Sequence, residues 1–317
     1  MTYTTNNDIT LLRSSGLTDW DNAEKKVIFT PPAGQNYSTD LWAPELHEFD
    51  GQWYVIFTAD PNGDSPPPEV DMYCEWSCPA VHHRMYVLEG TGSADPWGAS
   101  YAYKAQLNTY DQFAIDGTYF RHSTGLYHIY SCWQRVYDGW PANLCIAKLA
   151  DPWTVESNLT ERQVISVPNN PWEKTPYGRP FNDRLSSNEA PQQLTNPTTG
   201  QEFVIYSAAR SDNRNYCLGQ LELVGDDPMN PQDWRKRNDG CVFYQNAREQ
   251  AYGVGHASFV KSPDGSEDWI VYHGMRNPVT GWAARTIRAQ KFEWNEADGS
   301  PIFPRPGYGP YAVPAGQ

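Results

Sequence analysis

A degenerate repeat, visible at two separate places in each unit, constrains the fold of this chain more than any other feature. Its first part is a turn followed by an aromatic-rich run: DGQWYVIFTAD (50–60), TGLYHIYSCW (124–133), TGQEFVIYSAA (199–209) and DGSEDWIVYHG (264–274). Asp-Gly or Thr-Gly ahead of alternating aromatic and β-branched residues is a hairpin signal. The second part is a Trp-terminated corner after a short apolar run: LTDW at Trp20, ADPW at Trp97, ADPW at Trp153 and NPQDW at Trp234. There a strand stops and a turn sends the chain elsewhere.

Each unit reads as an apolar segment, a hairpin, a second and a third strand and the corner, over roughly 55 to 80 residues, which suits a four-stranded propeller blade with insertions. Starts at Pro44-Glu45, Asp116, Glu189 and His256 mark four units, and MTYTTNNDITLLRSSGLTDW reads as the later part of a fifth. The predicted fold is all-β: one five-bladed β-propeller domain over residues 1–317, its first blade lacking the innermost strand. A β-sandwich with irregular loops is the competing class, because regularly spaced strands occur there too. No long amphipathic helical pattern interrupts the units, and no apolar run approaches the ~18 residues of a membrane span.

Charge narrows the partners. Lys and Arg number 24 against 38 Asp and Glu, and the net charge of -14 repels a phosphate backbone or an anionic bilayer, so neither nucleic acid nor membrane is an expected partner. Aromatic residues make up 14%, with 13 Trp and 20 Tyr, which belongs to a folded chain and is common among secreted proteins that handle neutral sugars. Of the 6 cysteines, Cys74 and Cys78 lack the further Cys/His pairs of a zinc site. Cys132 with Cys145, and Cys217 with Cys241, are each separated by a turn and could be neighbours, but other pairings stay open.

In a propeller the innermost strands line a central channel, so polar residues at equivalent points of those strands converge. The segments STDLWAPELHEF (38–49), QFAIDGTYF (112–120), SSNEAPQQL (186–194) and GVGHASFVK (253–261) bring Glu45, Asp116, Glu189 and His256 to the starts of four blades. Carboxylates meeting across a channel raise one another's pKa, the arrangement that general acid catalysis uses. Taken singly, such an Asp or Glu is a turn or cap residue, and a lone His beside glycines is a core residue.

The motifs WAPEL, IDGTYF, NEAPQ, GVGHASF, KSPDGSEDWIVYHG and RTIRAQKFEW, in this order, resemble glycoside hydrolase family 43, five-bladed β-propeller enzymes that act on arabinofuranosyl and xylosyl units. The resemblance covers essentially the whole chain and is greatest to exo-acting α-L-arabinofuranosidases. It implies removal of terminal α-L-arabinofuranosyl units from plant cell-wall arabinan or arabinoxylan by an inverting mechanism. β-Xylosidase or endo-arabinanase action is the alternative within the family, and a non-catalytic carbohydrate-binding propeller the alternative outside catalysis. By the same resemblance Glu189 is the general acid and Asp116 the carboxylate that orients it and raises its pKa. Arg285 grips sugar hydroxyls, Arg288 faces the other way on the strand, and Trp42 and Trp133 wall the sugar pocket. His256 lies under the sugar and is the candidate ligand of a structural calcium or sodium ion in the channel. No cofactor is implied for the chemistry, and the expected form is a secreted monomer.

One element of the family pattern is not found. The catalytic base is expected on the innermost strand of the first blade, and laying MTYTT on VIFTAD puts that position roughly ten residues upstream of Met1, the distance from Glu45 to Val55. Asp8, Asp19 and Asp21 fall later in the blade, which leaves Asp40, beside Trp42, as the nearby carboxylate able to substitute. The reading is of an N-terminally shortened enzyme, with a natural sugar-binding relative as its rival.

Overall fold

The hairpin signals fall where strands turn back on themselves. A computed structural model describes residues 1–61, 82–110, 112–133, 141–156, 161–174, 186–278 and 281–317; Cys74 and Cys78 lie outside them. The strands are β1 (Thr2–Thr4), β2 (Ile9–Arg13) and β3 (Glu24–Phe29) in a first sheet, then β4 (Thr39–Phe49), β5 (Gln52–Asp60), β6 (Arg84–Thr91) and β7 (Ser100–Gln106) in a second. A third holds β8 (Ala114–His122), β9 (Gly125–Cys132), β10 (Asn143–Asp151) and β11 (Thr154–Val155), with β12 (Gln163–Ser166) beside β10. The fourth is β13 (Asn188–Thr195), β14 (Glu202–Ala208), β15 (Cys217–Leu223) and β16 (Trp234–Lys236), and the fifth β17 (Tyr252–Lys261), β18 (Asp268–Met275), β19 (Arg285–Trp294) and β20 (Pro301–Ile302). These antiparallel sheets are the blades of a five-bladed β-propeller, and the first has three strands where the second, fourth and fifth have four.

The chain divides into two compact units, Met1–Arg13 with Ala23–Val164, and Ser14–Asn22 with Ile165–Gln317. Alternation along the strands gives each its own core. In the first, Ile56, Met85, Val87, Leu107, Tyr119 and Tyr130 pack together, and beside them Val55, Phe57, Tyr86 and Leu88. In the second, Phe203, Ile205, Leu218, Phe243, Ile270, Tyr272 and Phe292 form the cluster. Disulfides join Cys132 to Cys145 and Cys217 to Cys241, each with Cα atoms about 6 Å apart. Among the described residues no helix is long and apolar enough to cross a membrane.

One backbone irregularity repeats in the same place and sets the site. The ladder jumps from Trp42↔Thr58 to Glu45↔Ile56 in the second sheet, and from Ile115↔Ser131 to Thr118↔Ile129 in the third. In the fourth it jumps from Glu189↔Ser207 to Gln192↔Ile205, and in the fifth from Gly255↔His273 to Ser258↔Val271. Each jump is a β-bulge, one extra residue on the first strand. The residue that opens it has a left-handed backbone: Ala43 (φ 47°), Asp116 (54°), Ala190 (49°) and His256 (46°). Such residues are rare outside glycine and persist where the surroundings enforce them. Here the enforcing contact is visible twice, because the bulge N–H has lost its ladder partner and finds a hydroxyl on the preceding sheet. Asp116 N–H donates to Thr58 Oγ1 at 3.1 Å, and His256 N–H to Ser207 Oγ at 2.8 Å.

The bulge corrects the expected equivalence of Glu45, Asp116, Glu189 and His256. Asp116 and His256 are register mates, Glu189 sits one residue before that position and Glu45 two after it. Trp42, not Glu45, occupies the register of Glu189, while Glu45 lies 2.8 Å from His47 Nε2.

Candidate active site

In the second unit the bulge of β13 brings Glu189 to the start of its strand, 8% exposed. Tyr216, buried just ahead of β15, donates its phenol proton to Glu189 Oε1 at 2.6 Å. The ring of Tyr216 lies parallel to that of His273, with centroids 5.7 Å apart. That packing needs a glycine opposite His273, since a Cβ on Gly255 would come within 2.4 Å of Tyr216 Cε1. His273 thus occupies the ladder position that carries Thr58, Ser131 and Ser207 in the three preceding sheets. Burial, reinforced by the charges of Arg285, His256 and Arg288, holds its pKa well below the usual imidazole range. The neutral ring has one donor and one acceptor, and neither ring nitrogen has a hydrogen-bond partner among the described residues.

Arg285 opens β19 and donates through Nη2 to the carbonyl of Ser211 at 2.7 Å, while its buried Nε–H has no acceptor among the described residues. Arg288 faces away, as the strand period requires. Its guanidinium donates to the carbonyls of Gly307 and Gln250, both at 3.0 Å, which ties down the segment after β20. Unsatisfied buried polar atoms each cost about 1–3 kcal/mol, and the three on His273 and Arg285 leave hydrogen-bonding capacity that polar ligand atoms or water can meet.

Glu189 is also fixed through its neighbour. Asn188 donates to Glu173 Oε1 at 2.8 Å and accepts from the hydroxyl of Ser166 at 2.7 Å and from Lys236 Nζ at 3.2 Å. Glu173, at 0% exposure, also receives Lys236 Nζ at 2.5 Å, the Tyr206 hydroxyl at 2.9 Å and the Asn170 N–H at 2.8 Å. A buried charge pair with its remaining lone pairs satisfied holds one geometry, because loosening any member leaves a charge without a partner.

In the first unit Asp116 is 8% exposed on its bulge. Trp42 stacks on His83 with ring centroids 3.9 Å apart. His83 Nδ1 lies 3.5 Å from Asp60 Oδ2, both residues being buried, and Asp40, Asp60 and His83 offer ligand atoms within 4.8 Å of one another. Asp40, which sequence reasoning singled out as a substitute base, therefore belongs to a three-residue cluster. Trp133 lies in the core, 1% exposed and stacked on Phe113 at 4.2 Å.

The structure thus places Glu189, His256 and Arg285 in one unit, and Asp116, Trp42 and Trp133 in the other. Among the described residues the group with metal-ligand spacing does not include His256, and its two carboxylates and one imidazole are not the all-oxygen set that calcium takes. Tyr216 and His273 were not anticipated. The available signal for His273 was the repeat itself, where YHG stands at the place of YSC and YSA.

Comparison with known proteins agrees with this architecture. The family described as Glycosyl hydrolases family 43 matches residues 1–301. An "Extracellular exo-alpha-(1->5)-L-arabinofuranosidase" of Streptomyces avermitilis is 34% identical over 303 residues, 93% of this chain and 56% of the relative. "Alpha-L-arabinofuranosidase B" of Pyricularia oryzae is 32% identical over 306 residues, with the same coverages of 93% and 56%. The chain therefore spans a little over half the length of these relatives. The crystal structure of an α-L-arabinofuranosidase from Lactobacillus brevis superposes with a TM-score of 0.78 at 29% identity, covering 96% of this chain and 89% of the other. By sequence match and by fold, the chain belongs to glycosyl hydrolase family 43.

Proposed function

We propose that the chain removes terminal α-L-arabinofuranosyl units from arabinan or arabinoxylan with inversion, Glu189 giving its proton to the leaving glycosidic oxygen. The observation that carries the reading is the Glu189–Tyr216 hydrogen bond beside the ring nitrogens of His273 and the Nε of Arg285, which have no partner among the described residues. A proton donor needs a fixed carboxyl plane, and the phenol supplies it. A sugar brings hydroxyls that both donate and accept, which matches a neutral imidazole and a guanidinium N–H. Arg285 and His273 would then hold the departing sugar, with His256 beneath it. The names of the relatives support the arabinofuranosyl choice over the xylosyl one.

In this mechanism the acid's proton goes to the leaving oxygen while a second carboxylate takes a proton from the water that attacks the opposite face. The reading assigns that second group to no residue of this chain. No cofactor enters either step, so an ion at Asp40, Asp60 and His83 would be structural. Two disulfides suit an oxidising compartment and hence secretion. The reading takes the protein to be a single-domain monomer.

The test is sugar release from α-1,5-arabinobiose, arabinoxylan and an aryl β-D-xyloside, by the 317-residue chain and by a version extended upstream. Arabinose is expected, with Glu189→Gln lowering kcat about 10²–10⁴-fold on substrates with poor leaving groups. Predominant xylose release, or a Glu189→Gln variant as fast as its parent, would overturn the reading.

A further inference from the structure

We propose that Trp282 is the platform for the second sugar of an arabinan chain, the unit that stays behind when the terminal arabinofuranosyl is cut off. The proposal rests on the reading above for the terminal sugar and adds the subsite that follows it.

Among the described residues Trp282 is the exposed tryptophan, at 61%; the others are buried or half-buried. A single exposed ring is ordinary by itself; what sets this one apart is that its place and orientation are fixed. Its position is set by the ladder. Met275 at the end of β18 pairs with both Tyr252 and Arg285, so the turn carrying Trp282 lies at the end of the fifth sheet where β17 begins. His256 sits near that same start, and Arg285 is three residues beyond Trp282.

The ring is also held. Its indole N–H donates to Ser211 Oγ at 3.0 Å, and the same Ser211 receives Arg285 Nη2 on its carbonyl at 2.7 Å. One residue thereby orients both the guanidinium assigned to the terminal sugar and the indole beside it. Gly281 N–H donates to Asp212 O at 2.9 Å, and Asp212 is clamped by both arms of Arg210 at 2.9 and 2.7 Å. With its one polar atom committed to Ser211, the indole offers a ligand only its apolar face. A fixed aromatic face stacks on the C–H side of a neutral sugar at little entropic cost.

Depth separates the two sugars. Glu189 and the nitrogens of His273 and Arg285 are buried, so the unit that leaves is the one they hold, whereas Trp282 stands toward solvent where the rest of the polymer must run.

Calorimetric titration of the Glu189→Gln chain with α-1,5-arabinotriose and with arabinose tests the subsite without turnover. Adding Trp282→Ala should weaken the trisaccharide about 10-fold and leave arabinose unchanged, and Trp282→Phe should restore most of the loss. In the active chain, kcat/KM for arabinotriose should fall by a similar factor while methyl α-L-arabinofuranoside, which has no second sugar, is cleaved as before. Equal trisaccharide binding with and without Trp282 would overturn the proposal, as would equal losses for arabinose and arabinotriose. Failure of the functional reading looks different: with Trp282 intact, neither the 317-residue chain nor its extended version would release arabinose from any substrate.

Discussion

His128 on β9 shows what a single buried side chain imposes. Its ring is fully buried and parallel to Tyr130 at 4.6 Å, and neither nitrogen has a partner among the described residues. Burial pushes its pKa down from 6.5 to about 3. Between those values the unfolded chain binds a proton that the native state refuses, so the slope of stability with pH is positive there. The contribution is complete above pH 6.5 and is lost as the pH falls toward 3, at about 1.4 kcal/mol per pH unit. His128→Leu removes the titration and two unsatisfied polar atoms. Urea unfolding should show the variant at least as stable as its parent at pH 7.5 and about 3 kcal/mol better at pH 4. Parallel stability curves for the two proteins between pH 7.5 and 4 would refute this.

At the scale of elements, the strand that presents Glu189 is anchored by a pair of charges from outside it. Glu173 comes from a single turn, Pro171–Glu173, and Lys236 from the edge strand β16, and both converge on Asn188. Breaking one member of a buried pair leaves the other charge stranded, at about 3–5 kcal/mol, whereas replacing both by apolar groups costs much less. Glu173→Gln should therefore lower Tm by several degrees and reduce activity with it, and Glu173→Gln combined with Lys236→Met should recover much of the loss. A double variant as unstable as the sum of its two single substitutions would show that Glu173 and Lys236 act independently. This network also marks where sequence reading stops. The hairpins were legible because DGQWYVIFTAD and its repeats carry both a turn and a period of two, whereas spacing made the two cysteine pairs candidates and left other pairings open. The bulge that sets Glu189 one residue before the Asp116 position was not legible. The equivalent bulges at Asp116 and His256 each take a hydroxyl, Thr58 or Ser207, from the sheet before, and no local pattern announces such a contact. The stacking of Tyr216 on His273 is of the same kind, a contact between residues 57 apart that only the folded sheets bring together.

At the scale of the whole molecule, the two units do not divide the chain at one point. Ser14–Asn22 belongs to the second unit although the residues on both sides belong to the first, so neither unit can be cut out as one continuous stretch. Within the second unit that early segment meets the last residue: Leu17 N–H donates to Gln317 Oε1 at 2.9 Å across 300 positions of sequence. Locally the segment is braced by Trp20 Nε1–H donating to Leu17 O at 2.7 Å and by the Ser14 hydroxyl donating to Asp19 O. The clasp is exposed, so its net worth is that of an ordinary hydrogen bond, about 0.5–1.5 kcal/mol. For a protein of this size Gln317→Ala should therefore lower Tm by only about 2 °C. The larger effect should be local, since opening of 14–22 no longer has to break the long-range contact. Hydrogen exchange followed by mass spectrometry should show peptides covering 14–22 exchanging several-fold faster in the variant, while peptides from β14 and β18 stay protected. If exchange in 14–22 is unchanged, the local braces alone hold the segment and the contact with Gln317 contributes nothing to joining the two ends of the chain.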